Sequence, residues 1–270
     1  MSIFAFFEIR DPRTAMLAIA FFVALAAFAV IWYLQKRIKD AGVVDVFWSL
    51  IVASLGLFFC VVGFGNPYRR WIAGAMILLW ALRLSYHLFC RWQFSPEDER
   101  YVMLKKEWGQ QAQSRMFRFY QFQAMGSFLF SIPLFLAANN ESGLSWLDLV
   151  GVVVFIVAVV GEATADAQLA RFKRDPDNDG KVCRDGLWFY SRHPNYFFEF
   201  AHWFSYVFLA ITAGMGWLAL FAPAAMFFFL TKKTGIPMTE AQAVKSKGDA
   251  YRDYQSSTNA FFPGPPRKSN

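Results

Sequence analysis

Long apolar runs alternate with short, charged segments along the whole chain. A transmembrane helix needs about 20 predominantly apolar residues, and seven stretches meet or approach that length. The predicted spans are Thr14–Leu34, Val43–Phe64, Trp71–Cys90, Phe122–Ala138, Trp146–Ala165, Tyr196–Ala213 and Trp217–Phe229. The pattern therefore predicts an all-α integral membrane bundle of seven helices, in one domain over residues 1–270.

The distribution of basic residues predicts the orientation of these helices. Cytoplasmic loops of membrane proteins are enriched in Lys and Arg. With seven spans, one side of the membrane carries most of the 27 Lys and Arg residues. The other side has Arg10, Arg13, Arg69 and Arg70. We therefore expect the N-terminus outside and the C-terminus in the cytoplasm. Basic loops facing anionic lipids also account for the net charge of +7, so no nucleic-acid partner is expected.

A group of ionisable residues in or next to the predicted spans falls near the cytoplasmic end. They are Asp45, Arg83, His87, Glu162, Asp166, Glu199 and His202. Such residues are costly in lipid and are functional candidates by default. Several of them form i,i+4 pairs, which place both side chains on one helix face. One interpretation is a set of anchors and buried ion pairs that hold the bundle together. The interpretation we favour is a polar chamber open to the cytoplasm.

The loop between the fifth and sixth predicted spans has the densest chemistry. It combines Lys and Arg side chains with an Asn, a His and aromatic rings near a helix start, which suits an anionic cofactor. No glycine-rich phosphate motif follows a strand, so a Rossmann site is not expected. Three histidines are too few for a membrane di-iron centre, and no metal site is predicted. Polar residues do not continue into the outer half, which disfavours a channel or transporter.

Several motifs carry a family resemblance. They are Asp166-x-x-Leu169-x-x-Phe172-Lys173, Gly186-Leu-Trp-x-Tyr-Ser-Arg192-His193-Pro194-Asn195-Tyr196, Glu199, Glu97-Asp98-x-Arg100-Tyr101 and Tyr251-Arg-Asp-Tyr254 before Phe261-Phe262-Pro263. With these motifs the chain resembles the steroid 5-alpha-reductase and delta-14 sterol reductase superfamily. It is especially similar to the bacterial membrane branch long catalogued as a domain of unknown function.

The resemblance implies an NADPH-dependent reductase whose cofactor lies in the C-terminal part, approximately residues 160–263. The implied cofactor contacts are Asp166, Lys173, Lys181, Arg192, His193, Asn195, Tyr196, Glu199, Tyr251 and Tyr254. The implied reaction is hydride transfer to an activated carbon–carbon double bond, with a nearby acid to protonate the product. A steroid or other unsaturated lipid would enter from the bilayer. The expected location is the bacterial inner membrane, with the active site facing the cytoplasm.

The chain departs from the steroid reductases on its second helix. Those enzymes hold the substrate carbonyl with a Gln-Glu pair, which is missing here. By their depth alone, Asp45, Tyr86 and His87 are the candidate catalytic acids.

Two other functions stay open. Isoprenylcysteine carboxyl methyltransferases and phospholipid methyltransferases also carry an Arg-His-Pro-x-Tyr run, followed by a membrane helix and an acidic residue near the tail, and there bind S-adenosylmethionine. Glu240, Tyr251 and Tyr254 are compatible with that alternative. S-adenosylmethionine has no phosphate and carries a positive sulfonium, so it has less use for the cations around Lys173. A non-catalytic lipid-binding protein is the third possibility.

Overall fold

The computed structural model describes residues 11–94 and 96–267. Arg10, which the orientation prediction uses, and Lys268 lie outside this part of the chain. Within it every regular element is helical and no strand occurs. Contacts divide the chain into two compact units, residues 1–144 with 210–216 and residues 145–209 with 217–270.

The first unit is built on four long helices and one short one. They are α1 (Pro12–Ile38), α2 (Val43–Val62), α3 (Pro67–Gln93), α4 (Glu99–Trp108) and α5 (Ala112–Ala138). Asp11 and Asn66 cap α1 and α3, each followed by a proline at the first helical position, where its missing N–H costs nothing. The core is apolar and aromatic: Trp48 makes edge contacts with Trp80 and Phe130.

The second unit begins with its longest described α-helix. Its helices are α6 (Trp146–Arg174), α7 (Leu187–Tyr190), α8 (Pro194–Ala210), α9 (Phe221–Phe228), α10 (Ile236–Lys247) and α11 (Asp249–Ser257). Ser145 and Asp148 form a capping box that fixes the start of α6. A loop with a short 3₁₀ turn at Pro176–Asn178 separates α6 from α7. Beyond Ser257 the chain returns to the segment that links α7 to α8.

Five helical segments of the described chain are long and apolar enough to cross a membrane: Pro12–Ile38, Val43–Val62, Pro67–Gln93, Glu99–Ala138 and Trp146–Arg174. These five correspond to the first five predicted spans, and α2 ends at Val62, two residues before the predicted Phe64. The fourth of these segments contains two α-helices, α4 and α5. The helix of the fourth predicted span, α5, starts at Ala112 rather than at Phe122.

The last two predicted spans take a less regular form. The helix of the sixth, α8, ends at Ala210, before the predicted Ala213. The seventh is not one α-helix, because a 3₁₀ segment (Gly216–Leu220), α9 and a π-helical turn (Phe229–Lys233) follow one another. Pro223 near the start of α9 cannot donate a backbone hydrogen bond, which is consistent with this break in regularity.

Candidate functional site

The segment between α7 and α8 carries the Arg-His-Pro-Asn-Tyr motif, and the C-terminal tail holds it in place. The backbone N–H of Arg192 donates to the carbonyl of Asn259 at 2.9 Å. The Ser191 hydroxyl donates to the carbonyl of Phe261 at 2.9 Å and accepts from the His193 N–H at 3.1 Å. The motif is therefore fixed by residues about 70 positions further along the chain.

Glu240 on α10 is the centre of a hydrogen-bond network beneath the motif. Its Oε1 accepts from Arg192 Nε at 2.7 Å and lies 3.1 Å from His193 Nε2. Its Oε2 accepts from Gln255 Nε2 at 2.7 Å. The side chains of Arg192, His193 and Glu240 are at most 13% exposed, so these bonds form away from bulk water. The network joins the motif to α10 and α11.

Electrostatics in this network favour an ionised Glu240 and a neutral His193. Burial alone would raise the pKa of Glu240, but the hydrogen bonds from His193, Arg192 and Gln255, with the charge of Arg192, lower that pKa to about 2. Burial lowers the pKa of His193, and its hydrogen bond to Glu240 only partly opposes this effect. At neutral pH His193 thus donates its Nε2 proton to a carboxylate.

Arg192 was predicted to contact the cofactor, and the structure shows what its side chain binds within the protein. Besides Glu240, its Nη1 donates to the carbonyls of Gln255, at 3.0 Å, and of Thr258. These bonds satisfy backbone carbonyls at the C-terminal end of α11, which would otherwise have no hydrogen-bond donor. Arg192 therefore joins the motif to the tail in this structure.

Two other predicted residues join α6 to the first turn of α8. Asn195 Nδ2, in the first turn of α8, donates to Asp166 Oδ1 on α6 at 3.1 Å. Next to this bond, the ring of Tyr196 stacks on the His193 imidazole with centroids 5.3 Å apart and planes 6° apart. The Tyr196 hydroxyl lies 3.3 Å from Thr239 Oγ1. The bond between Asn195 and Asp166 brings together the Asp166–Lys173 segment and the Arg192–Tyr196 motif.

The last turns of α6 and the loop after it present several exposed cations. The side chains of Arg171, Lys173, Arg174 and Lys181 make no hydrogen bond or ion pair within residues 11–94 and 96–267. Lys247 Nζ donates to the Lys181 carbonyl. Burial lowers the pKa of Lys247, and the positive charge of Lys173 adds to that effect. Lys173 is therefore close enough to Lys247 of α10 for their charges to interact, and no carboxylate of the described residues forms an ion pair with Lys173.

The remaining predicted cofactor contacts lie inside the second unit. Glu199 is buried and accepts from Trp203 Nε1 at 3.1 Å. Tyr254 is buried, and its hydroxyl donates to the carbonyls of Trp188 and, at 3.2 Å, Ser191. Tyr251 is buried beside Tyr254, with ring centroids 5.9 Å apart. Burial raises the pKa of both tyrosines, so both hydroxyls stay protonated at physiological pH.

The predicted catalytic acids all belong to the first unit. Asp45 accepts from Arg100 Nη2 at 3.0 Å and from the Tyr101 hydroxyl at 2.7 Å, which ties the start of α2 to α4. Tyr86 on α3 is 72% exposed, and His87 beside it is also exposed. No three His, Cys, Asp or Glu side chains of the described chain are grouped to hold a metal ion.

The sequence pointed to Glu240 only through the methyltransferase alternative, and Gln255 was missed as a site residue. Glu240 lies 47 residues from His193, in a helix whose sequence has no motif that points back to the loop. A second missed residue is Gln168, whose Oε1 accepts the Leu187 N–H at 2.9 Å and so fixes the start of α7. No local spacing could have revealed these contacts, because each joins separate elements.

These observations define an all-helical protein with several helices of membrane-spanning length and composition. Its polar motif lies at the junction of α6 and α8. The chain belongs to the DUF1295 family, whose model, described as "Protein of unknown function (DUF1295)", matches residues 31–258.

An uncharacterised protein of Schizosaccharomyces pombe is 27% identical over 264 residues, which cover 87% of this chain and 76% of the relative. No solved structure matches the chain.

Proposed function

We propose that this protein is an NADPH-dependent membrane reductase that reduces an activated carbon–carbon double bond of a steroid or another unsaturated lipid. The observation that carries the proposal is the hydrogen bond between Asn195 and Asp166. It joins the two segments whose motifs resemble the steroid 5-alpha-reductase superfamily. Residues separated by 29 positions in the sequence thus form one polar surface.

The residues around this surface suit a cofactor with several phosphates. Lys173 and Lys181 are exposed and have no hydrogen bond or ion pair from their side chains in the part of the chain that the structure describes, so both can bind phosphate oxygens. Asn195 offers an amide, and Tyr196 extends the stack begun by His193. NADPH, when bound, supplies the hydride. The protein's own residues hold the cofactor, orient the substrate and provide the proton.

The proposed topology has seven spans, with the N-terminus outside and the site open to the cytoplasm of a bacterial inner membrane. At about 1.5 Å per residue, the 17 residues of α8 extend about 26 Å, close to the hydrocarbon thickness. The helical segment from Gly216 to Lys233 has a similar number of residues. A lipid-soluble substrate would reach the site from the bilayer, while NADPH arrives from the cytoplasm. Asp45, Tyr86 and His87 remain the proposed catalytic acids.

One observation favours a second candidate, an S-adenosylmethionine-dependent methyltransferase of the isoprenylcysteine carboxyl methyltransferase type. Those enzymes carry an acidic residue near the tail besides the Arg-His-Pro-x-Tyr run. Here the corresponding groups touch, since Glu240 binds Arg192 and His193. The exposed cations at the end of α6 are less suited to a cationic sulfonium, so we rank this function second.

The deciding experiment is a thermal-shift titration of the detergent-purified protein with NADPH, NADH and S-adenosylmethionine. A ligand that binds only the folded state raises the melting temperature with its concentration. We expect NADPH to raise it. Lys173→Gln and Asn195→Ala should each weaken NADPH binding by about 5- to 100-fold, because each removes a contact to the cofactor.

Lys106→Gln is the matched control. Lys106 is an exposed lysine of the first unit whose side chain makes no hydrogen bond or ion pair among the described residues. That variant should bind NADPH like the unmodified protein. A shift with S-adenosylmethionine alone would replace the reductase by the methyltransferase. No shift with any of the three ligands would remove both enzymatic functions.

A further inference from the structure

A groove opens on the first unit where α4 meets α5. Its volume is about 380 Å³, and it is lined by Trp108, Arg115, Arg118, Phe119 and Phe122. Trp108 is the last residue of α4, and the other four residues lie on the first three turns of α5. Arg118 and Phe122 are four positions apart, as are Arg115 and Phe119, so each pair shares a helix face. The lining thus has a basic end and an aromatic end.

Among the described residues, no carboxylate pairs with the basic end of the groove. Arg118 makes no hydrogen bond or ion pair within the described residues, and Arg115 donates from Nε to Gln111 Oε1 at 3.1 Å. Both arginines are exposed. Guanidinium groups bind phosphate with two parallel hydrogen bonds, so this pair suits a phosphate ester.

The aromatic end of the groove points along α5 toward its apolar half. The 17 residues from Phe122 to Ala138 extend about 26 Å at about 1.5 Å per residue, close to the thickness of a hydrocarbon core. Arg118 and Arg115 precede Phe122 by about 6 Å and 10 Å along the helix axis, a distance that corresponds to the headgroup layer. Phe122 is 70% exposed, as expected for a ring that faces lipid.

We propose that this groove binds one anionic glycerophospholipid. Its phosphate would lie on Arg115 and Arg118, and an acyl chain would pass Phe119 and Phe122. Trp108 would cover the glycerol region, the depth at which tryptophan is enriched in membrane proteins. A water-soluble phosphate would use the two cations but gain nothing from the three aromatic rings. The lipid therefore fits the groove better, and the site is independent of the proposed enzymatic function.

Quenching of tryptophan fluorescence by brominated lipids tests this site. The protein is reconstituted into phosphatidylcholine vesicles that contain a small fraction of phosphatidylglycerol with brominated chains. In a parallel sample phosphatidylcholine carries the bromine. We expect stronger quenching by the brominated phosphatidylglycerol. The excess quenching by phosphatidylglycerol should disappear in Trp108→Phe. That result would identify Trp108 as the quenched residue among the 10 tryptophans of the chain.

The charge variants then test the headgroup contact. At the usual contribution of a basic residue near an anionic membrane, Arg115→Gln and Arg118→Gln should each weaken phosphatidylglycerol binding about 5-fold, and the double variant about 30-fold. Lys106→Gln removes the same charge outside the groove and should keep the excess quenching. Equal quenching by the two lipids, or an excess that survives in the double variant, would overturn the proposal. So would loss of the excess on addition of inorganic phosphate, compared with chloride at equal ionic strength, because the ligand would then be a soluble anion.

Discussion

Glu240 shows how one carboxylate can organise a motif from another part of the chain. Its two oxygens accept hydrogen bonds from Arg192, His193 and Gln255, which come from the α7–α8 segment and from α11. Removal of one partner from a buried ion pair leaves the other charge without compensation and commonly costs more than the pair itself contributes. The ionisation of Glu240 is therefore coupled to the stability of the second unit.

The stability of the second unit should fall in acid in two stages. The pKa of His193 is lowered in the folded state, so its contribution is present above its ordinary value of about 6.5 and is lost as the pH falls below it. The pKa of Glu240 is lowered from 4.5 to about 2, so its contribution, on the order of 3 kcal/mol, is lost between those values. Melting temperatures measured from pH 7.5 down to pH 3 would test both stages.

Glu240→Gln separates the two stages. This variant cannot ionise at position 240, so it should melt at a lower temperature near neutral pH and lose less stability below pH 4.5. Asp179→Asn is the control, because Asp179 is an exposed acid of the same unit whose side chain makes no hydrogen bond in the described chain. If the acid profile of Glu240→Gln matches that of the control, the network does not stabilise the fold in the way inferred here.

At the scale of elements, glycine controls how α7 is placed. Gly186 precedes this short helix with φ 59° and ψ −123°, a conformation that is strained for residues with a side chain. A Cβ there would also lie 2.3 Å from Gln168 Nε2. The Gln168 side chain accepts the Leu187 N–H, so a displaced Gln168 would lose the contact that fixes the start of α7.

Three glycine-to-alanine variants should form a graded series. Gly143→Ala should change stability little, because its Cβ meets nothing within 4 Å and its φ is not positive. Gly180→Ala has the same open space but a φ of 72°, and should cost about 1–2 kcal/mol. Gly186→Ala adds the clash with Gln168 and should cost more than Gly180→Ala. Thermal or denaturant melts would rank them, and equal values for Gly180→Ala and Gly186→Ala would contradict the role of Gln168.

The sequence predicted these elements best where the apolar run and the helix start at the same residue. Trp146 begins both the predicted fifth span and α6, and the structure shows a Ser145–Asp148 capping box at this start. The start of α5 was missed because Ala112–Gln121 is polar, although Ala, Gln, Arg and Met favour helix formation. The hydropathy pattern detects lipid-facing residues, and it does not detect helix that continues into the headgroup layer.

At the scale of the whole molecule, the structure brings some of the predicted site residues into contact and leaves others apart. The contact between Asn195 and Asp166 joins two residues that the sequence placed at the same membrane depth. The methyltransferase alternative named Glu240, but its bonds to Arg192 and His193 could not be read from local spacing, since Glu240 lies 47 residues beyond His193. Local spacing indicates which residues share a face. Contacts between distant elements depend on packing, which one sequence does not specify.

The path of the chain through the membrane gives the last prediction. If α8 and the helical segment Gly216–Lys233 both cross the bilayer, Gly214 lies outside the cell, whereas Lys106 and Lys232 lie in the cytoplasm. Gly214 is exposed and has open space around its Cα, so a cysteine fits there without displacing a neighbour. Replacement of the free cysteines Cys60, Cys90 and Cys183 by alanine provides a background without native thiols.

Gly214→Cys in that background should react with a membrane-impermeant maleimide on intact cells. Lys106→Cys and Lys232→Cys should react only after lysis, because the reagent cannot reach the cytoplasm before then. With five spans the chain would not return to the outside after α6, and all three positions would be protected until lysis. Labelling at Gly214 on intact cells, with Lys232 protected until lysis, would thus establish a sixth and a seventh crossing together. Protection at Gly214, with labelling after lysis, would reduce the bundle to five spans and leave α8 and α9 on the cytoplasmic side.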